Sequence, residues 1–257
     1  MAPSEKATAA TQINTLVEHF NRQRHLFQQM VENLRNAFDA SDDLRKLIHS
    51  HKFRIKDPEH LRDKLQRKAH KATEAHVPFD ITTGNLAQKI NDLAGFRIIH
   101  LHTRQFESIN KTLLDIFEFN NYPLIEQPRA KTWDDETREY FASLGVAVEP
   151  NDRMYTSVHY VVGSNSKAQV TCEIQVRTLS EEIWGEVDHK VNYPHPNDDV
   201  SCREQIKVLA RVTSSCSRLV DSIFATHTDR ENVRSKNGIE VPRTRPPKRE
   251  SRARGRK

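Results

Sequence analysis

A chain of 257 residues, 36% hydrophobic and 29% charged with a mean hydropathy of −0.76, has room for one large domain or two small ones with a buried core, and nowhere holds the run of about 18 apolar residues that a membrane span needs. Only seven glycines occur, at Gly84, Gly95, Gly145, Gly163, Gly185, Gly238 and Gly255, where about 18 would be usual; no two are spaced as GxGxxG or GxxxxGK[ST], which excludes the dinucleotide fingerprint and the Walker A loop and leaves any phosphate chemistry to Arg, Lys and a metal ion. The net charge of +5 is unevenly spread, because Arg230 to Lys257 holds 11 basic and 3 acidic residues and so leaves 29 basic and 32 acidic residues before it.

The opening MAPSEKATAATQ lacks the apolar stretch of a secretory signal, and a cytoplasmic location is expected. Ile13, Leu16, Val17, Phe20, Phe27, Met30, Val31, Leu34 and Phe38 then follow helical spacing, predicting one long amphipathic helix from about Thr11 to Asp39. Ser41 is placed to cap a second helix through Leu47. Asp57-Pro58 is a helix start, with Asp as N-cap and Pro in the first turn, and that helix is expected to reach about Ala75. A short helix over Asn85–Asn91 precedes a strand, GFRIIHLH, over Gly95–His102. Phe106, Ile109, Leu113, Ile116 and Phe117 mark the helix after it.

Trp133 to Leu144 reads as a helix inside an otherwise loop-like segment. Strands follow at Tyr155–Val162 and Gln169–Val176, joined by GSNSKA as an antiparallel hairpin. Leu179–Asn192 and Val200 to about Ala225 are helical. The tail RTRPPKRESRARGRK is too polar to pack and is expected to be disordered, either as an RNA-binding arm or as a solubilising tail. Cys172, Cys202 and Cys216 have no CxxC spacing, which argues for free thiols in a reducing compartment. The total is an α+β fold with a mixed sheet of four or five strands.

Alternation in the hairpin is informative. Glu173, Gln175 and Arg177 share one face of their strand, against Cys172, Ile174 and Val176 on the other. Tyr155, Ser157, His159 and Val161 share a face of the preceding strand. A merely wet face would tend to Thr, Lys and Glu; acid, amide, guanidinium, phenol and imidazole together read as a ligand floor.

Four segments of the chain, taken together, resemble the RelA/SpoT-type alarmone synthetases: RIKDPEHLRDKLQRK from Arg54, NDLAGFRII from Asn91, MYTSVHYVV from Met154 and CEIQVRTLSEEIWGEVDHKVNY from Cys172. They occur in the family's order over about half of the chain, and no His-Asp dipeptide marks the hydrolase domain of the long members. The resemblance implies a small, synthetase-only member: an N-terminal helical segment over 1–50, a nucleotidyltransferase-like synthetase domain of about five strands over 51–195, a C-terminal helix over 196–229 packing on the core, and the basic tail over 230–257.

It further implies transfer of pyrophosphate from ATP to the 3′-hydroxyl of GDP or GTP with Mg²⁺, giving AMP and (p)ppGpp. Asp92 would be a metal ligand, and Glu173 a second ligand or the base for the attacking hydroxyl. Arg54 and Arg97 would sandwich adenine, and Lys56 and Lys64 would hold the ATP phosphates. Tyr155 would stack on the acceptor base, His159 would contact its phosphates or sugar, and Gln175 and Arg177 would orient substrate. Trp184 is expected in the core, and His189 behind the Glu173 strand.

The acceptor loop departs from the family pattern. Arg153-Met154 stands where Asn-Gly usually precedes the stacking tyrosine, and about 25 extra residues lie between Asn121 and Pro150. An adenosine nucleotide or the tRNA 3′ end is therefore the alternative acceptor. The terminal helices are open to three uses: packing on the core, an oligomer interface or a lid.

Overall fold

The computed structural model describes residues 3–192 and 197–236. Six strands form one mixed sheet: β1 (Ser50–Ile55), β2 (Ala94–His100), β3 (Leu124–Thr132), β4 (Ala147–Pro150), β5 (Ser157–Gly163) and β6 (Thr171–Thr178), in the order β1-β2-β6-β5-β3-β4. β2 runs parallel to β6 and β3 to β4, while β1–β2, β5–β6 and β3–β5 are antiparallel. The α+β class and the hairpin are as expected; the sheet has six strands rather than about five.

The extra strands, β3 and β4, lie in the segment read as loop. β3 carries Pro128 and shifts register at Leu124/Glu126 and again at Glu126/Arg129, so no two-residue alternation survives to be read. Between them, α6 (Asp135–Ser143) is the helix expected near Trp133, capped by the Asp134 side chain on Thr137 N–H.

One face of the sheet is the core. Phe96 and Ile98 of β2, Val158, Tyr160 and Val162 of β5, and Cys172, Ile174 and Val176 of β6 are all buried there. Two helices press on them: α1 (Pro3–Ala40), whose Phe38 ring meets Phe96 edge-on at 5.2 Å, and α5 (Phe106–Phe119), whose Phe117 meets Tyr160 at 6.0 Å. Every apolar residue of the α1 stripe read from the sequence is buried. The helix begins some eight residues earlier than that stripe suggested.

α2 (Asp42–Leu47) is capped by Ser41 Oγ on Leu44 N–H, and α3 (Pro58–Glu74) by Asp57 on Glu59 and His60 N–H, both as expected. A four-residue helical turn, α4 (Leu86–Lys89), and a 3₁₀ turn (Asn91–Leu93) lead into β2.

The opposite face is polar and is approached by α7 (Leu179–Asn192) and α8 (Val200–Lys236). These two helices enclose a small second core of Trp184, Ile206 and Ala210. α8 runs past the expected end near Ala225 and takes in the first residues assigned to the basic tail. The rest of that tail, 237–257, lies outside the described residues.

Candidate active site

Residues paired across strands point to the same side of a sheet, so the register defines the polar face. Lys52 and Arg54 of β1 pair with Arg97 and Gly95 of β2; Gly95 and Arg97 pair with Glu173 and Gln175 of β6; Gln175 pairs with His159 of β5, and His159 with Arg129 of β3. The floor expected from the hairpin therefore spans five strands. At its centre Gly95 contributes no side chain. A cavity of about 250 Å³ opens there, lined by Lys52, Phe53, Arg54, Asp92, Gly95, Arg97, Glu173, Gln175, Glu186 and His189.

Asp92 sits in the 3₁₀ turn that feeds β2, in the sparsely populated bridge region (φ −96°, ψ 22°). Its two carboxylate oxygens are taken by two lysines, Lys56 Nζ on Oδ2 and Lys64 Nζ on Oδ1, each at 2.8 Å. Burial works against the carboxylate, but the charges and hydrogen bonds of Lys64 and Lys56 outweigh it and hold Asp92 at a pKa of about 2. Burial lowers Lys56, with Asp92 opposing. Lys56 N–H continues the β1–β2 ladder by donating to Leu93 O at 2.8 Å, which puts Lys56 on the same side as Arg54.

Glu173 accepts from His159 Nδ1 at 2.9 Å on one oxygen and from Gln175 Nε2 at 2.8 Å on the other. Burial and the nearby Asp92 charge favour its neutral form, yet the His159 hydrogen bond and charge prevail, and the carboxyl lies below its ordinary value. His159 Nε2 is buried without a hydrogen-bond partner.

Gln175 accepts from Arg177 Nη2 at 3.0 Å, and Arg177 Nε lies 3.1 Å from Glu182 Oε2 as an ion pair not aligned for a hydrogen bond. The α7 backbone approaches this guanidinium so closely that a Cβ on Gly185 would collide with Arg177 Nη1. Arg177 is 7% exposed and lies off the cavity wall, so the structure places it as a strut behind Gln175.

The adenine-side residues are gathered as expected: Arg54 and Arg97 line one cavity with the two carboxylates. Sequence reasoning missed what holds them. Arg97 Nη1 donates to Glu186 Oε1 at 2.6 Å and contacts Glu182 Oε1 at 3.3 Å, and Lys52 pairs with the same two glutamates of α7. His189 lines the cavity instead of backing the Glu173 strand.

Tyr155 lies outside β5, which starts at Ser157; it stands on the preceding loop and stacks on Trp184 with centroids 5.7 Å apart at 18°. Trp184 is core, donating its indole N–H to Ile206 O. Tyr155 remains near Glu173, whose charge, after burial, raises the phenol pKa. Met154 adopts φ +63°, the left-handed conformation that glycine takes at lower cost than any other residue. Asn151 holds it there: its carbonyl accepts Met154 N–H, its side-chain oxygen accepts Arg153 N–H, and its amide donates to Tyr155 O. The Met154 side chain packs on the Trp184 cluster.

Arg129 and Lys131 were also missed. They face the same side as His159 and Ser157 and have no partner among the described residues. Pro128 and the β3 bulges hid them.

Two carboxylates facing one cavity, with room for waters and phosphate oxygens, suit a hard cation such as Mg²⁺, which seldom takes more than one or two protein carboxylates. Among the described residues no group of three His, Cys, Asp or Glu forms a closed metal cage, and no helix is long and apolar enough to cross a membrane.

Known proteins share this chain's fold and part of its sequence. A GTP pyrophosphokinase of Bacillus subtilis (strain 168), YwaC, is 24% identical over 197 residues, covering 72% of this chain and 80% of that protein. The crystal structure of small alarmone synthetase 1 from B. subtilis superposes with a TM-score of 0.57 at 20% identity, over 82% of this chain and 99% of that one. The same protein has been solved with its product pppGpp (TM-score 0.51) and with AMPCPP (TM-score 0.54), each at 17–20% identity. A GTP pyrophosphokinase family protein from Streptococcus pneumoniae gives a TM-score of 0.55 at 18% identity, over 88% and 97% of the two chains. The model of the region found in RelA / SpoT proteins matches residues 53–198, from β1 to the start of α8, and the chain belongs to that family.

Proposed function

We propose that this chain is a (p)ppGpp synthetase, moving the pyrophosphoryl group of ATP onto the 3′-hydroxyl of GDP or GTP and releasing AMP. The observation that carries the reading is the single cavity in which Asp92 and Glu173 face Arg54 and Arg97, with Lys56 and Lys64 already on Asp92. The relatives named GTP pyrophosphokinase, and the related enzyme solved with pppGpp, support it.

Substrate entry is then an exchange of partners. Lys56 and Lys64 leave Asp92 for the triphosphate, so neither lysine lacks an anion, and the freed Asp92, with Glu173, would hold a Mg²⁺ ion. Bound there, Mg²⁺ would offset charge on the phosphates. Arg54 and Arg97 stack on the adenine ring, their planar cations suited to a π face. The acceptor base lies on Tyr155, whose far side is backed by Trp184. Arg129 and Lys131, the partnerless cations beyond His159, hold acceptor phosphates.

Glu173 stays ionised near neutral pH, and its His159 and Gln175 contacts fix the direction of its lone pairs toward the 3′-hydroxyl hydrogen. The hydroxyl oxygen attacks the β-phosphorus of ATP, the bond from that phosphorus to the α-phosphate oxygen breaks, and AMP departs. Preorganised charge and alignment do the work, as in other phosphoryl transfers.

The deciding assay offers γ-labelled ATP and Mg²⁺ with GDP, GTP, AMP, ADP or deacylated tRNA in parallel. Label on GDP or GTP is the expected result. Label only on an adenosine nucleotide or tRNA would overturn the acceptor assignment and turn attention to Arg153, Met154 and the basic tail.

A further inference from the structure

Glu186 presents a carboxylate oxygen that the site does not otherwise use. Its Oε1 takes both cations, Arg97 Nη1 at 2.6 Å and Lys52 Nζ at 3.0 Å, while Oε2 has no partner among the described residues. The side chain is 45% exposed and lines the cavity beside Arg54, Arg97 and His189. The hydrogen bond of Lys52, with those and the charges of both cations, keeps the carboxyl near a pKa of 2, so at neutral pH it only accepts hydrogen bonds.

Geometry then limits what Glu186 can touch. A ring stacked on Arg97 lies parallel to the guanidinium plane. A carboxylate bound to the guanidinium's N–H edge stands at the perimeter of that plane, beside the edge of the stacked ring. Purines differ at that edge: adenine carries an exocyclic amine, a donor, where guanine carries a carbonyl, an acceptor. A fixed anion at position 6 attracts the first and repels the second, and discriminates so long as it stays clear of guanine's N1–H and 2-amine, which are themselves donors.

We infer that Glu186 determines the base specificity of the donor site, its Oε2 accepting a hydrogen bond from the exocyclic amine of an adenine nucleotide and turning away guanine nucleotides. The inference rests on the reading of Arg54 and Arg97 as the adenine sandwich. It addresses a problem peculiar to this chemistry: the proposed acceptor is itself a guanosine polyphosphate, and two stacking arginines and phosphate-binding lysines do not by themselves tell guanine from adenine.

The test is binding of ATP and of purine riboside triphosphate, which lacks the amine, by calorimetry with Mg²⁺ and no acceptor present; GTP, which would also fill the acceptor site, is read instead as a pyrophosphate donor, by transfer from γ-labelled GTP. Wild type is expected to bind ATP about tenfold more tightly than purine riboside triphosphate, the scale of one charge-assisted hydrogen bond at a half-exposed site, and to use GTP as donor at less than about a tenth of the rate with ATP. Glu186→Ala should bring ATP and purine riboside triphosphate to within about twofold of each other, and Glu186→Gln, whose amide can donate as well as accept, should raise transfer from GTP relative to transfer from ATP. An equal weakening of ATP and its amine-free analogue in Glu186→Ala would mean that the residue acts only by holding Arg97, and would overturn the inference. So would a wild type that does not distinguish the two. In both results wild type still binds ATP, which separates them from failure of the donor reading itself, in which wild type binds no adenine nucleotide.

Discussion

Asp92 and Glu181 are two carboxyls that the same fold drives in opposite directions. Asp92, between two lysines, has a pKa near 2 in the folded chain, below its ordinary 3.8. It therefore contributes stability above about pH 4 that is lost as the pH falls through 2, an amount of about 2 kcal/mol. Asp92→Asn should flatten that acid limb in urea titrations. Glu181, 4% exposed and accepting Thr156 N–H at 3.0 Å, is pushed by burial up to about 7, with Arg177 opposing. Its contribution is complete below about pH 4.5 and disappears as the pH rises through 7. Glu181→Gln keeps the acceptor for Thr156 without the charge, and should raise the Tm at pH 8 while leaving it nearly unchanged at pH 5. At the centre of the chemistry, Glu173→Gln should abolish pyrophosphate transfer, below 1% of wild type, with ATP affinity within about threefold; a fully active variant would remove Glu173 from the role of base.

Among elements, the loop from Asn151 to Thr156 is tied at both ends. Asn151 N–H reaches Thr132 O on β3, Thr156 N–H reaches Glu181 on α7, and Tyr155 lies on Trp184. Asn151→Ala removes the two side-chain hydrogen bonds, to Arg153 N–H and Tyr155 O, that brace Met154 at positive φ, and should raise the KM for the acceptor about tenfold while that for ATP stays within twofold; equal effects on both would detach this loop from the acceptor. How far such elements could be read beforehand depended on the range of the interactions that define them. Ser41 and Asp57-Pro58 announce their helices because a cap acts within four residues. The β5–β6 alternation was legible because those strands are regular, and the motif residues Arg54, Asp92, Arg97 and Glu173 do converge. β3 was hidden by two register shifts and a proline. The α7 glutamates were hidden by distance, since Glu186 meets a partner 89 residues away and nothing local marks it. Lys56 and Lys64 were assigned to phosphates, and only the fold shows that Asp92 occupies them first.

For the whole molecule, α8 is fastened across the site's outer side. Asp221 Oδ1 accepts from His102 Nδ1 at 2.7 Å and from Arg104 N–H at 2.9 Å, the Phe224 ring lies flat on His102 at 4.5 Å, and Arg218 pairs with Asp134 at the cap of α6. Asp221→Ala should lower the Tm by several degrees and weaken acceptor binding more than ATP binding, because the Tyr155–Trp184 stack leans on α8. The strand order has a consequence in time. β6, which sits in the middle of the sheet and carries Glu173, is the last strand to be synthesised. Until it arrives, β1–β2 and β5–β3–β4 are two separate ribbons with open edges, and Asp92 has no Glu173 to face. A nascent chain on the ribosome thus has no means of spending ATP, and its open edges make it a client for chaperones up to the moment the central strand slots in.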